Sequence, residues 1–181
     1  MKVISGRLKG RKLLFLKDKN IRPTKDIIRE SIFDVLRGKV EGERVLDLFA
    51  GTGAIGIEAW SEGAKEVVFV ESSYHACRVI KKNIASLALL DDCKIINSDV
   101  EKIITSFENA CFGMIIADPP YSYSGKRISD IISILINLHV IKKGGFIVIE
   151  HREKNKISVP DGVSLYKEKK YGKVQVSYFK V

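Results

Sequence analysis

The stretch Val45-Leu46-Asp47-Leu48-Phe49-Ala50-Gly51-Thr52-Gly53-Ala54-Ile55-Gly56 reads as a short apolar strand, a glycine turn and the first turn of a helix. A G-x-G-x-x-G run in that context lets backbone approach a nucleotide closely at a helix N-terminus. Asp47 stands four residues before Gly51, at the strand's end and beside the crevice where such a turn holds its ligand. A carboxylate there is awkward beside a pyrophosphate and well matched to an ammonium, so the turn favours S-adenosylmethionine over a nicotinamide dinucleotide. Glu71, twenty residues after Gly51, ends the next strand, where its carboxylate would accept hydrogen bonds from both ribose hydroxyls. Each feature has a plainer alternative. The glycines could form a tight turn without a ligand, Asp47 could serve the helix start, and Glu71 could cap the following helix.

Outward from this stretch, apolar runs at Val45–Phe49, Val67–Val70, Lys94–Ile96, Met114–Ala117 and Phe146–Ile149 alternate with helical patterns at Ala54–Ser61, Tyr74–Leu87, Val100–Ser106 and Ile128–Leu138. That rhythm predicts βαβ units and a mostly parallel sheet. Val163–Glu168 and Val174–Lys180 switch to a period of two around Tyr171-Gly172, which predicts a closing antiparallel hairpin. The expected fold is therefore α/β, a Rossmann-like, doubly wound, seven-stranded sheet ending in a hairpin. Ahead of it, Val3–Ile4 and Lys12–Leu16 predict a small β-hairpin. A helix follows, capped by Thr24 and ended by Gly38, with its apolar stripe at Ile27, Ile28, Ile32, Val35 and Leu36. One domain over residues 1–181 is expected, residues 1–40 forming a basic extension of a core at 41–181.

The chain has 181 residues, 45% hydrophobic and 29% charged, which suits a globular domain and excludes a low-complexity or disordered chain. Its apolar runs are too short to span a bilayer and the first residues lack a secretory signal, so no membrane is expected and the cytoplasm is the expected compartment. Cys77, Cys93 and Cys111 have neither disulfide nor zinc-ribbon spacing and are read as reduced thiols, and His75 and His139 lack partners at metal-ligand spacing, so no metal is expected. Trp60 is read as core. The 31 Lys and Arg against 22 Asp and Glu give a net charge of +9. Residues 1–30 hold ten basic and three acidic side chains and residues 151–181 hold eight and three, which leaves an acidic middle. Basic ends suggest a polyanion partner, and the glycine-interrupted cluster Arg7, Lys9, Arg11 and Lys12 looks like a presented patch.

Asp118-Pro119-Pro120-Tyr121 follows the fourth strand, again at the carboxyl edge of the sheet. Neither proline has an N–H to give, so the Pro119 carbonyl can be held in a fixed direction. Two acceptors, the Asp118 carboxylate and that carbonyl, plus the Tyr121 ring suit a planar heterocycle bearing an amino group. An amine conjugated into a nucleobase is a poor nucleophile. Two acceptors that each take one of its hydrogens aim its lone pair at a sulfonium methyl, and the methylated nitrogen is then acidic enough for a carboxylate to deprotonate. The alternative is a proline-stiffened loop without chemistry. Asp99, after the third strand, could reach an adenine edge or cap the next helix.

Asp47-Leu48-Phe49-Ala50-Gly51-Thr52-Gly53 together with Asp118-Pro119-Pro120-Tyr121 resembles a class I methyltransferase of the amino-methylating group. The front segment, Ile4-Ser5-Gly6-Arg7-Leu8-Lys9-Gly10-Arg11, Arg22-Pro23-Thr24-Lys25-Asp26 and Arg29-Glu30-Ser31-Ile32-Phe33, narrows the resemblance to the RsmD family of 16S ribosomal RNA guanine-N2 methyltransferases, over nearly the whole chain. The resemblance implies S-adenosylmethionine as donor and the exocyclic N2 of a guanine as acceptor, within 16S rRNA of the small ribosomal subunit or its assembly intermediate. It places Asp118, Pro119, Pro120 and Tyr121 at the base. Asp47, Phe49, Ala50, Gly51, Thr52, Gly53, Glu71, Ser72, Asp99 and Asp118 are the expected cofactor residues, and Arg7, Lys9, Arg11, Lys12 and Arg22 the expected RNA contacts. No DNA partner and a monomer are expected. Arg22, Thr24 and Arg29 could instead grip phosphate or cover the cofactor, or form a helix cap with a solvated face. His151 could touch substrate or be a satisfied surface residue. Rival readings are a methyltransferase for adenine N6 or a protein amide, a non-catalytic RNA-binding assembly factor, and a nicotinamide oxidoreductase.

Overall fold

A computed structural model of the chain describes residues 1–15 and 26–181. Strands β1 (Arg44–Leu48), β2 (Glu66–Glu71), β3 (Cys93–Asn97), β4 (Phe112–Ala117), β5 (Ile141–Arg152), β6 (Ser164–Tyr171) and β7 (Val174–Lys180) form one sheet in the order β3-β2-β1-β4-β5-β7-β6. The first five run parallel, β7 lies antiparallel to β5, and β6 pairs antiparallel to β7. The expected doubly wound sheet with a terminal hairpin is the architecture observed.

Helices α1 (Asp26–Leu36), α2 (Ala54–Ser61), α3 (Tyr74–Ser86), α4 (Val100–Ile103) and α5 (Gly125–Asn137) cover the two faces. Ile28, Ile32, Leu36, Ile57, Ile80 and Ile84 pack with Val45, Val67, Phe69, Met114 and Ile116 on one side. Val100, Ile104, Ile128, Ile132 and Leu135 pack with Leu46, Leu48, Val68, Ile115 and Ile147 on the other. The central strands are apolar on both faces because both are covered, which is why they read as continuous runs. Asp47 is the exception within β1, on the face that α2 and α3 cover. The chain winds from β1 outward to β3 and then returns to set β4 on the other side of β1, with Leu48 beside Ala117. That reversal opens a crevice at the carboxyl ends of β1 and β4.

The N-terminal segment departs from expectation. It forms one antiparallel bridge, Lys2 to Lys12, around a 3₁₀ turn at Gly6–Leu8, in place of two strands. The reason is that core side chains take its backbone donors. The Glu58 carboxylate accepts the N–H groups of Ile4 and Ser5, and Ser61 Oγ accepts that of Leu8. Gly6 has φ +71°, and a Cβ there would lie 2.0 Å from the Ser61 carbonyl oxygen, so only glycine allows this approach to α2. Ile27, expected in the α1 stripe, points outward at 62% exposure. Gly38 ends α1 as expected, with φ +71°. Thr24 and Leu16 lie outside the described residues. The pattern at 100–106 splits into α4 and a 3₁₀ turn at Ile104–Phe107. Trp60 is only half-buried, donating to Asp92 and carrying the Arg7 guanidinium 5.6 Å from its ring centroid. Cys77 and Cys93 are buried and Cys111 is exposed, all as free thiols.

Candidate active site

At the end of β1 the backbone takes left-handed conformations at alternate residues, Phe49 (φ 63°), Gly51 (φ 56°) and Gly53 (φ 79°). Two are glycines, for which this costs little, and Phe49 carries a strain on the order of 1 kcal/mol. The Phe49 ring stands edge-on to Tyr123, centroids 5.3 Å apart, which ties the glycine turn to the loop after β4. The turn is also pinned by hydrogen bonds. The Ala50 N–H donates to the Val70 carbonyl, the Gly51 N–H to Glu71 Oε2 at 2.7 Å, and the Asn83 amide to the carbonyl of buried Thr52.

Asp47 is 2% exposed and its Oδ2 accepts the Gly56 N–H at 2.9 Å. A Cβ on Gly56 would lie 2.3 Å from the Phe69 ring and 2.9 Å from that same oxygen, so the third glycine makes room for both the packing and the carboxylate. Burial pushes the Asp47 carboxyl up to about 8; the Gly56 hydrogen bond acts the other way, and the charges of Asp118 and Glu71 add to the rise. Three carboxylates thus converge on the crevice. An entering cation would relieve their repulsion and let Asp47 ionise, so the site suits a ligand bearing an ammonium and a sulfonium.

Glu71 also receives the Ser73 N–H on Oε1 at 2.7 Å, with the Ser72 hydroxyl at 3.4 Å from the same oxygen. It therefore braces the glycine turn against the start of α3, a role distinct from the helix cap that was its plainer reading. A carboxylate has lone pairs left for ribose hydroxyls after these bonds, so both roles fit one side chain. Ser73, not Glu71, caps α3, its Oγ accepting from Ala76. Asp99 caps α4, accepting the Glu101 N–H at 2.9 Å, so its capping alternative is realised.

The loop after β4 faces this turn. Asp118 is half-buried, Pro119 buried, Pro120 exposed and Tyr121 half-buried. The Pro120 carbonyl accepts the Tyr123 N–H at 2.8 Å, closing a tight turn. Tyr123 is buried beneath it, with the Arg127 guanidinium 3.8 Å above its ring, and its carbonyl accepts from Asn155. Arg152 stacks over the Tyr121 ring at 4.9 Å. Tyr123, Arg127 and Asn155 are the bracing residues that sequence reasoning missed; the repeat of Tyr at 121 and 123 was the available signal.

Arg7, Lys9, Arg11 and Lys12 are all exposed on the docked N-terminal segment. Arg22 lies outside the described residues. Arg29 is neither a phosphate grip nor a cofactor cover. It is 0% exposed, pairs with Glu58 at 3.1 Å and donates to the Lys2 carbonyl, so it knots α1, α2 and the N-terminal segment together. His151 is satisfied but buried, its ring between the Arg152 carbonyl and Ser177 Oγ, both at 2.9 Å; burial lowers its pKa. Among the described residues no three His, Cys, Asp or Glu gather as a metal site, and no helix is long and apolar enough to cross a membrane.

Comparison with known proteins agrees with this geometry. The family model described as "Conserved hypothetical protein 95" matches residues 1–180. The chain is 37% identical to "Ribosomal RNA small subunit methyltransferase D" of Buchnera aphidicola, over 96% of this chain and 89% of that one. Against the Escherichia coli K12 protein of that name it is 28% identical, over 96% and 86%. The solved structure of yhhF from Escherichia coli superposes with a TM-score of 0.83 at 27% identity, covering 99% of this chain and 96% of that one. Matching the family model over residues 1–180, the chain belongs to the RsmD family and is a methyltransferase.

Proposed function

We propose that the chain transfers a methyl group from S-adenosylmethionine to the exocyclic N2 of a guanine in 16S ribosomal RNA. The observation that carries this reading is the juxtaposition at the switch point. Asp47 and its glycine turn end β1, Asp118-Pro119-Pro120-Tyr121 ends β4, and the two strands are neighbours in register. The relatives named for methylation of small-subunit ribosomal RNA supply the substrate class.

In this reading S-adenosylmethionine supplies an electrophilic methyl on a sulfonium. Asp47 would hold the ammonium of its methionyl part, the backbone of Phe49, Ala50, Gly51, Thr52 and Gly53 would receive the rest of that part, Glu71 and Ser72 would take the ribose, and Asp99 the adenine edge. On the acceptor side the Asp118 carboxylate and the Pro119 carbonyl each take one hydrogen of the guanine amine, fixing the nitrogen lone pair toward the methyl, with the base against the Tyr121 ring. Asp118 then accepts the proton that the methylated nitrogen sheds. N2 lies on the pairing edge of guanine, so the base must leave its stack to enter.

Arg7, Lys9, Arg11 and Lys12, with Arg22, serve as phosphate contacts that set the enzyme on the RNA. The substrate is a particle, assembled or partly assembled, and the enzyme acts as a monomer. The test gives the protein methyl-labelled S-adenosylmethionine with unmethylated small subunits, naked ribosomal RNA, duplex DNA and release-factor protein. N2-methylguanosine from subunits is the expected product. Label in N6-methyladenine or protein would overturn the substrate, and no label with retained subunit binding would point to an assembly factor.

A further inference from the structure

The crevice is built from carboxylates, and RNA brings phosphates to its mouth. Asp118 and Glu71 lie close enough to Asp47 for their charges to raise its proton affinity. A nucleotide extruded into this site carries the phosphates on either side of it to the rim, where that field repels them, so a cation belongs there. The described part of the basic N-terminal segment, residues 1–15, docks on α2 and α3.

Arg152 fills the place. One residue beyond the paired Ala117 and Ile149 stand Asp118 and Glu150, and Arg152 follows two residues later on the Glu150 face of β5. Its guanidinium lies 4.9 Å from the Tyr121 centroid, over the ring. A guanidinium stacked on an aromatic keeps its N–H edges directed outward, where they can donate to phosphate oxygens. It covers a face of the Tyr121 ring.

The backbone under Arg152 is fixed. Its carbonyl meets the His151 ring and the Asn155 N–H, both at 2.9 Å, and the Asn155 side chain donates to the Tyr123 carbonyl. The turn carrying Arg152 is thereby tied to the loop that carries Asp118 and Tyr121. Among the described residues Arg127, which stacks on Tyr123, is paired with Glu101 and committed. Among the described residues Arg152 stacks on Tyr121 and forms no ion pair.

We propose that Arg152 is the phosphate-binding residue for the extruded nucleotide, holding the RNA backbone beside the target base. This rests on the RNA-methylation reading above. The test compares wild type with Arg152→Met, Arg152→Glu and Arg152→Lys, measuring binding to unmethylated small subunits across a salt series. S-adenosylhomocysteine affinity and thermal midpoint serve as checks of the fold. Arg152→Met is expected to bind subunits roughly tenfold more weakly and to flatten the slope of log Kd against log salt by about one. Arg152→Glu should weaken binding further, and Arg152→Lys should keep the slope because it keeps the charge. Equal slopes in an active wild type and Arg152→Met would overturn the assignment. So would an Arg152→Lys protein as weak as Arg152→Met, because the side chain would then only brace Tyr121. A wild type that methylates no RNA would instead overturn the reading beneath it, and this assignment with it.

Discussion

Asp47→Asn should make the ligand-free protein more stable and close to useless for binding its donor. The folded carboxyl is raised to about 8, first by burial, while the unfolded value is 3.8. Between those values the folded chain holds a proton that the unfolded chain has released. Stability from this group therefore falls by about 1.4 kcal/mol for each pH unit from about pH 4 to about pH 8, and is level beyond. At pH 7, about three units above the unfolded value, the penalty is roughly 4 kcal/mol. Asparagine escapes it and keeps an oxygen for the Gly56 N–H. Urea unfolding of both proteins from pH 5 to pH 9 should show the variant more stable, by a margin that widens with pH and stops widening near pH 8. Titration calorimetry with S-adenosylhomocysteine should show affinity lower by a hundredfold or more, about 3 kcal/mol for an ammonium that has lost its buried carboxylate. A variant less stable than wild type at pH 7, or a margin independent of pH, would refute the reasoning, since Asp47 would then be ionised in the free protein.

Asp118→Ala should lower kcat by about a hundredfold or more in the methyl-transfer assay, with a much smaller change in S-adenosylhomocysteine affinity, because it removes an amine acceptor and the proton's destination. Gly56→Ala should destabilise by about 1–3 kcal/mol in urea unfolding, since its Cβ would meet Phe69 and Asp47 together; an unchanged midpoint would mean that α2 shifts freely. Glu58→Gln should cost about 3 kcal/mol or more by leaving Arg29 buried with a weakened partner. Amide exchange at Ile4 and Ser5 should accelerate well beyond the global loss, and protection that survives there would show that Glu58 does not hold the segment.

The sheet was legible because burial on both faces writes itself into uninterrupted apolar runs such as Val67–Val70 and Met114–Ala117, and because glycine punctuates the turns. The glycine turn was legible because the left-handed backbone at Gly51 and Gly53 and the close approach of Asp47 at Gly56 impose residue types that little else requires at that spacing. The N-terminal hairpin is cut to a single bridge because the Ile4, Ser5 and Leu8 donors go to Glu58 and Ser61, more than fifty residues away, and local pattern carries no trace of such partners. Arg29 was ambiguous for the same reason. An arginine in an amphipathic helix looks the same whether it faces phosphate or a buried glutamate, and only the tertiary knot decides. His151 and Asn155 acquire their roles from neighbours across strands and loops, so no one-dimensional spacing could assign them.

The strand order near β5 bears on how the chain is made. β6 leaves the ribosome before β7 yet reaches the sheet only through it, since β7 lies between β5 and β6. Ser164–Tyr171 must therefore wait without a partner until Val174–Lys180 has been synthesised and has paired with β5. A waiting strand is an aggregation hazard unless charge keeps others away. Lys167, Glu168, Lys169 and Lys170 supply that charge within β6, whereas Val176, Tyr178 and Phe179 of β7 are buried. The apolar surface of the hairpin is thus concentrated in the strand that arrives second and is covered at once, and the strand that arrives first can remain in water meanwhile.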